Sequence, residues 1–301
     1  MALRAARSPA RAVLRRATKS ARGALAGGRE AGVVGIATIE CASMTAVGKI
    51  PLSVVIIAQN EEDHIVACLE SAACAAECVV VDGGSTDRTV ELAQEMGAMV
   101  VERPFDGFIP QKNAAIDAAA HDWVLSLDAD ERLSPELAKS ICDLFADNAN
   151  PPLAGYFMPR ISFHLGRWIR HGGWYPDRKL RLIDRRRGRW GGRKVHEKIE
   201  LQGQSGVLKG DLVHYPYRDY QHHLTKMDSY TTLASELLYE ERRKWPRLRM
   251  FVQPTLQFLK SYILRRGFLD GAAGFTLARL SARYEWLRYS KLARLYAGGK
   301  A

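Results

Sequence analysis

Between residues 50 and 146 the chain alternates between two hydrophobic periods, and few folds accommodate that. "LSVVIIA" (52–58) is an unbroken apolar run of strand length. "EEDHIVACLESAA" (61–73) then spaces its apolar residues as one face of a helix. The cycle repeats: strand "CVVVD" (78–82), helix "TDRTVELAQEMG" (86–97), strand "AMVVE" (98–102), helix "IPQKNAAIDAAA" (109–120), strand "DWVLSLD" (122–128), helix "SPELAKSICDLFAD" (134–147). Thr86 or Ser85 is the expected cap of the second helix and Gly97 its stop; Ser134-Pro135 reads as an N-cap followed by proline at the first helical position. Strands alternating with helices predict an α/β fold with a doubly wound, mostly parallel sheet. In such sheets ligands bind beyond the carboxyl ends of the strands. Asn60, Glu61, Asp82, Asp128 and Asp130 all fall there.

Past residue 150 the alternation stops. "GYFMPRISFHL" (155–165) and "RKLRLIDRR" (178–186) read as strands around the Gly/Trp/Arg-rich "GRWIRHGGWYPD", and "RKVHEKIEL" and "GVLKGDLVHYPY" follow. Helical spacing then covers 219–244, about 249–265 and 272–296. The expected organisation is a basic extension over 1–49, a ligand-binding domain over 50–218 (donor half 50–150, acceptor half 151–218), and a basic, amphipathic helical appendage over 219–301.

Charge follows the same division. The net charge of +11 comes from the flanks: residues 1–49 carry 9 Lys/Arg against 2 Asp/Glu, and 240–301 carry 14 against 4. The middle is acidic, with 21 against 27. That pattern argues against a nucleic-acid surface spread over the protein and suits a metal-using core with a basic appendage. The Arg- and Ala-rich start resembles a targeting peptide, but "MTAVGKIPLSVV" at Met44 also looks like a natural start, so 1–43 is expected to be an upstream extension or a tail. Five cysteines (Cys41, Cys68, Cys74, Cys78, Cys142) without a CxxC pair suggest free thiols in a reducing compartment. No apolar run reaches the roughly 18 residues of a membrane span.

The chemistry concentrates in "DWVLSLDADERLSPE" (122–136), where Asp128, Asp130 and Glu131 crowd the end of a buried strand. Ionised groups there cost several kcal/mol unless paired. A divalent cation, Mg²⁺ or Mn²⁺, carrying a diphosphate is the expected partner, because such ions prefer carboxylate oxygen and keep positions open for phosphate and water. Glu131 points away from its neighbours and reads as solvated or Arg-paired. No EF-hand spacing follows, and an aspartyl phosphatase would want a small hydroxyl residue where Glu131-Arg132 stand. "VVVDGGSTDRT" (79–89) lacks GxGxxG; its Asp82 suits ribose hydroxyls or a base N–H, with Gly83, Gly84 and Ser85 allowing close approach.

Taken together, "LSVVIIAQNEE", "VVVDGGSTDRT", "QKNAAIDAA" and "LSLDADE" resemble the family 2 glycosyltransferases, which carry the nucleotide-sugar-binding GT-A fold. "WYPDRKLRLIDRR", "KVHEKIE" and "LVHYPYRDYQHHLTKMDSY" resemble the branch containing lipopolysaccharide core β-glucosyltransferases. The resemblance implies that Asn60 and Glu61 line the nucleotide pocket, Asp82 binds uridine, and Lys112 stands near the base and phosphates. Asp128 would touch the ribose or a metal-bound water, and Asp130 would ligate the metal, with His214 as a third ligand. Many members carry a second Asp where this chain has Gly83. Glu197 is the expected general base and Asp177 the second candidate, with His196 orienting Glu197 or the acceptor. The implied reaction moves a hexose from a UDP-sugar, with inversion, to a core-oligosaccharide or other lipid-linked acceptor at the cytoplasmic face of a membrane. A non-catalytic scaffold or a nucleotidyltransferase are the alternatives.

Two further stretches bear on partners. The loop Arg160–Trp174 mixes Trp168, Trp174, His171 and several Arg, which suits an anionic sugar or a tether packed on the sheet. The appendage suits either an anionic membrane surface or a helical pair that exposes only its charged face; His222 and His223 are expected on a helix surface.

Overall fold

The computed structural model describes residues 49–146, 150–193 and 196–298; of the expected extension over 1–49, residues 1–48 lie outside them. The described residues all fall in one compact unit. In chain order the elements are β1 Ile50–Ala58, α1 Ile65–Ser71, β2 Ala75–Asp82, α2 Thr89–Glu95, β3 Met99–Glu102, α3 Phe108–Ala118, β4 Trp123–Asp128, β5 Glu131–Leu133, α4 Pro135–Ala146 and β6 Gly155–His164. There follow β7 Arg167–Ile169, β8 Asp177–Asp184, β9 Gly188–Arg193, β10 His196–Leu201, β11 Ser205–Val207, β12 Leu212–His214, α5 Tyr220–Glu240, α6 Pro246–Leu259 and α7 Gly271–Tyr296. A π-helical turn, Lys260–Leu264, and a 3₁₀ turn, Gly267–Asp270, join the last two helices.

The main sheet runs β3-β2-β1-β4-β8-β6-β12-β5. Its first four strands are parallel, as the alternation predicts. β1 shows why. Leu52, Val54 and Ile56 enter one core with Ile65, Leu69, Leu137 and Ile141 of the helices on that face. Val55 enters the other core, with Ile116 of α3 and with Trp190 and Ile199 of the β9–β10 hairpin. A strand buried on both sides reads as a continuous apolar run.

Beyond β4 the order departs from a simple winding. β8 and β6 join antiparallel, and β12 pairs parallel with β6 and antiparallel with β5. β5, only three residues long, follows directly on the acidic turn and is missed by periodicity because "ERL" is too short to show a period. The second helix starts at Thr89 rather than at 86, because Ser85 is engaged by Asp82 and Asp87 accepts the Thr89 N–H. Gly97 ends it at φ 78°, and Ser134 Oγ accepts the Leu137 N–H as the expected cap of α4.

α5 and α7 are fastened by Lys291, whose Nζ meets Asp228 O, Asp228 Oδ1 and Thr232 Oγ1 at 2.6–2.8 Å. Ile169 of β7 packs with Met227, Leu277 and Leu280, which seats this pair on the acceptor half. Of the two readings of the appendage, a helical pair that exposes only its charged face does not describe α6, which buries no residue and exposes Leu248, Phe251 and Leu256. His223 is also not on the surface: it is buried, with Nδ1 2.9 Å from His164 Nε2, and stacks on Tyr217.

Candidate active site

The register of three strands sets the site. Ile57 of β1 pairs with Asp128 of β4, and Ala58 with Asp82 of β2, so the two aspartates flank the end of β1 at the carboxyl edge. Asn60 follows in the left-handed region at φ 57°, a conformation Asn tolerates. Its side chain accepts the Thr86 N–H at 2.8 Å and its own N–H donates to Ser85 Oγ at 2.9 Å, which ties the first two strand-end loops together.

Asp82 is buried and turned toward its own loop. Its carboxylate accepts the N–H groups of Gly84 and Ser85, each at 2.8 Å, and the Ser85 hydroxyl. Gly84 sits at φ 96°, which a residue with a Cβ rarely adopts. The loop therefore presents its backbone outward while Asp82 holds it from behind.

Asp128 stands in a charge network that the sequence reading attributed to a metal. Lys112 Nζ lies 2.8 Å from its Oδ1 and Arg181 donates to its Oδ2 at 2.7 Å. Arg181 also donates to Glu131 at 2.8 Å, Arg160 bridges Glu131 (3.0 Å) and Asp177 (2.6 Å), and Lys179 lies 3.1 Å from Asp177. Burial alone would push the Asp128 carboxyl up, but Arg181 and then Lys112 outweigh it and hold it well below the usual range. Glu131, fully buried, is Arg-paired and not solvated, and it also accepts the Asp128 N–H. Lys112 is buried, with its Nζ over the Trp190 ring at 4.2 Å. Arg181 is not among the residues singled out from the sequence, although a charged residue between Leu180 and Leu182 is itself a sign of a buried pair, and Arg160, read there as facing an anionic sugar, pairs with Glu131 and Asp177.

The general-base candidates divide on this network. Glu197 of β10 keeps a quarter of its side chain exposed and lies 3.8 Å from Lys112 Nζ, within reach of Asp128's partner. Burial would raise the Asp177 pKa, but Arg160 and Lys179 outweigh it and lower the pKa, which weakens Asp177 as a base. The side chain of His196 lies outside the described residues.

Asp130 points elsewhere. β12 pairs antiparallel with β5, with His214 opposite Glu131, and the Tyr215 N–H donates to Asp130 O at 3.0 Å. This brings His214 Nε2 to 3.5 Å from Asp130 Oδ2, and both side chains remain partly exposed. Ser162 Oγ, 3.2 Å from His214 Nδ1, orients the ring. Glu61 lies near: burial first, then Asp130, push its pKa up to about 7, opposed by Lys226 and Arg218. Among the described residues no cluster of three His, Cys, Asp or Glu forms a closed metal cage. One carboxylate and one imidazole, both accessible, nevertheless fit a hard divalent ion that takes its other ligands from phosphate and water.

Beside Asp130 opens a cavity of about 440 Å³ lined by His64, Phe163, Tyr215, Tyr217, Arg218 and Asp219. Arg132 lies over the Tyr215 ring at 4.5 Å, and Trp168 packs against Phe163 and Tyr215. His171 and Trp174 of the same loop are committed to packing: His171 to buried Asp270 at 3.1 Å, Trp174 to His164. Cys68, Cys74, Cys78 and Cys142 are free thiols.

Residues 53–200 match the family described as Glycosyl transferase family 2. The lipopolysaccharide core biosynthesis glycosyltransferase LpsC of Rhizobium meliloti is 31% identical over 83% of this chain and 94% of its own length. An uncharacterized glycosyltransferase of Rickettsia typhi is 28% identical over 81% of this chain and 87% of that protein. Among solved structures, S. aureus TarS 1–349 aligns over 83% of this chain and 92% of that one at 14% identity and a TM-score of 0.41. Glucosyl-3-phosphoglycerate synthase from Mycobacterium tuberculosis, solved with Mn²⁺, uridine diphosphate and glucosyl-3-phosphoglycerate, covers 40% of this chain and 45% of its own at 26% identity and a TM-score of 0.30. With the family's sequence pattern over 53–200 and near full-length similarity to LpsC, the chain belongs to glycosyl transferase family 2 and is a glycosyltransferase.

Proposed function

We propose that the protein transfers a hexose from a UDP-sugar, with inversion, to a lipopolysaccharide-core or other lipid-linked saccharide at the cytoplasmic face of a membrane. The observation that carries this reading is the pairing of Asp130 with His214 at the carboxyl edge of the sheet, beside an aromatic cavity, with Glu197 set against Lys112 of the adjoining Asp128 network. The name of the relative LpsC supports the acceptor class, and the free thiols fit a reducing compartment. No helix among the described residues is long and apolar enough to cross a membrane.

Asp130 and His214 would hold the divalent cation, Mg²⁺ or Mn²⁺, which when bound supplies positive charge to a departing diphosphate. The loop of Gly83–Ser85, held by Asp82 and tied to Asn60, offers its backbone to the nucleoside. Lys112 and Arg181 keep Asp128 ionised, fixed and able to accept a ribose hydroxyl. Glu197 takes the proton of the acceptor hydroxyl as its oxygen bonds to the anomeric carbon and the bond from that carbon to the phosphate oxygen breaks on the opposite face. Phe163, Tyr215 and Trp168 supply aromatic faces on which acceptor sugars stack.

The test is release of UDP from a panel of UDP-sugars with core-oligosaccharide acceptors. Acceptor-dependent UDP release by wild type, abolished in a folded Asp130→Asn variant, supports the reading. Pyrophosphate release instead would assign a nucleotidyltransferase, and donor binding without turnover a scaffold.

A further inference from the structure

The face of α6 that points away from α7 has no partner among the described residues. Its inner side packs through Phe258 and Tyr262 against Phe275. Its outer side carries Leu248, Phe251, Leu256, Leu259, Ile263 and Leu264, spaced three to five residues apart, except that Ile263 and Leu264 are adjacent. Exposure reaches 62% at Leu248, 68% at Phe251 and 77% at Leu264. From Pro246 to Leu264 this ridge runs about 28 Å at 1.5 Å per residue. Phe268 and Leu269 extend it into the next turn, both about half exposed. Scattered apolar residues on a surface are ordinary, but a continuous ridge of this length marks an interaction site.

Charge identifies what the ridge meets. At its start, Arg242, Arg243, Lys244 and Arg247 join the rings of Tyr239 and Trp245 around a groove of about 1020 Å³. At its far end stand exposed Lys260, Arg265 and Arg266. Apolar side chains flanked at both ends by cations, with a Trp 71% exposed at one of them, match the depth profile of a lipid leaflet: hydrocarbon, then an anionic headgroup layer. A second protein surface would leave those cations to find as many carboxylates.

We infer that α6 and the turn after it form a docking surface for an anionic phospholipid bilayer. The surface is joined to the acceptor half. Asp270, buried at the end of the 3₁₀ turn, accepts the N–H groups of Arg170 and His171, and the Gly172 N–H donates to Arg265 O. Docking through α6 therefore holds the segment 170–174 after β7, and the neighbouring aromatic cavity, close to the membrane, where the proposed lipid-linked saccharide would be anchored. The docking itself does not depend on which sugar is transferred, or on whether transfer occurs at all.

The experiment is co-sedimentation of the full chain with mixed phosphatidylglycerol–phosphatidylcholine vesicles and with phosphatidylcholine alone, without nucleotide or acceptor. Wild type should bind the anionic vesicles and bind the neutral ones far more weakly. Leu248→Glu with Phe251→Glu should lower anionic binding by more than about tenfold. Lys244→Glu and Arg247→Glu should each lower it by roughly fivefold. All of these positions are exposed, so thermal unfolding should be unchanged. No binding by wild type, equal binding to neutral vesicles, or retained binding in the double glutamate variant overturns the inference. So does light scattering that shows a wild-type dimer which the double variant dissociates, because the ridge then joins two copies of the chain.

Discussion

Replacing Arg181 with methionine tests how the site holds its charge. Arg181 is 4% exposed in its side chain and donates to Asp128 at 2.7 Å and to Glu131 at 2.8 Å. Glu131 has no exposed side-chain surface, so after the substitution it keeps only Arg160 among its cations, and Asp128 keeps only Lys112. Breaking a buried pair by removing one partner costs about 3–5 kcal/mol, because the remaining charge stays desolvated. At about 2–4 °C per kcal/mol for a chain of this size, unfolding should fall by roughly 10 °C. Urea unfolding followed by tryptophan fluorescence, with calorimetry alongside, measures it. Adding Glu131→Gln to Arg181→Met should recover part of the loss, since the stranded charge is gone. Asp128 has a depressed pKa, so its share of the stability is present above the ordinary carboxylate pKa and disappears in acid; the gap between wild type and Arg181→Met should narrow there. A loss under about 1 kcal/mol, or a double variant no more stable than the single one, would refute the assignment of Arg181 as the charge that makes Glu131 and Asp128 tolerable.

Three other outcomes follow from the same geometry. Burial, then His164, lowers the His223 pKa to about 4 from 6.5, so the neutral ring stabilises fully above pH 6.5 and loses this contribution as pH falls toward 4. His223→Phe should therefore flatten the acid side of the melting-temperature profile by an equivalent of about 3 kcal/mol, read as the difference from wild type. Ser162→Ala removes the group that orients His214 and should raise the half-saturating Mn²⁺ concentration about tenfold, with folding unchanged by circular dichroism. A Cβ at Gly274 would fall 1.8 Å from Gly267 O, so Gly274→Ala should destabilise by about 3 kcal/mol and make the 264–270 turn the first site of limited proteolysis.

The parallel half of the fold was legible because β1 and β4 are buried almost throughout and read as unbroken apolar runs, and because Gly97 and Ser134 mark a helix stop and a helix start. The strand-end positions of Asp82 and Asp128 followed from topology alone. Their partners did not. Nothing local links Arg181 to Asp128 53 positions earlier; the antiparallel pairing of β8 with β4 makes that contact. His214 was singled out through the resemblance; its position near Asp130 comes from the pairing of β12 with β5, a strand too short to be read. His223 was misplaced because "QHHL" on a helix looks polar, whereas helix position turns one imidazole inward onto His164 and leaves its neighbour outside.

In the proposed reaction Glu197 takes the acceptor proton while Asp177 holds Arg160 in place. Single-turnover transfer by Glu197→Gln and by Asp177→Asn, with UDP binding measured in parallel, tests it most directly. Glu197→Gln should lower the rate by about 10²–10⁴-fold with UDP affinity preserved, and Asp177→Asn should act mainly on stability by releasing Arg160. A Glu197→Gln enzyme within about tenfold of wild type, or an Asp177→Asn enzyme that folds normally and loses the chemical step, would contradict the account.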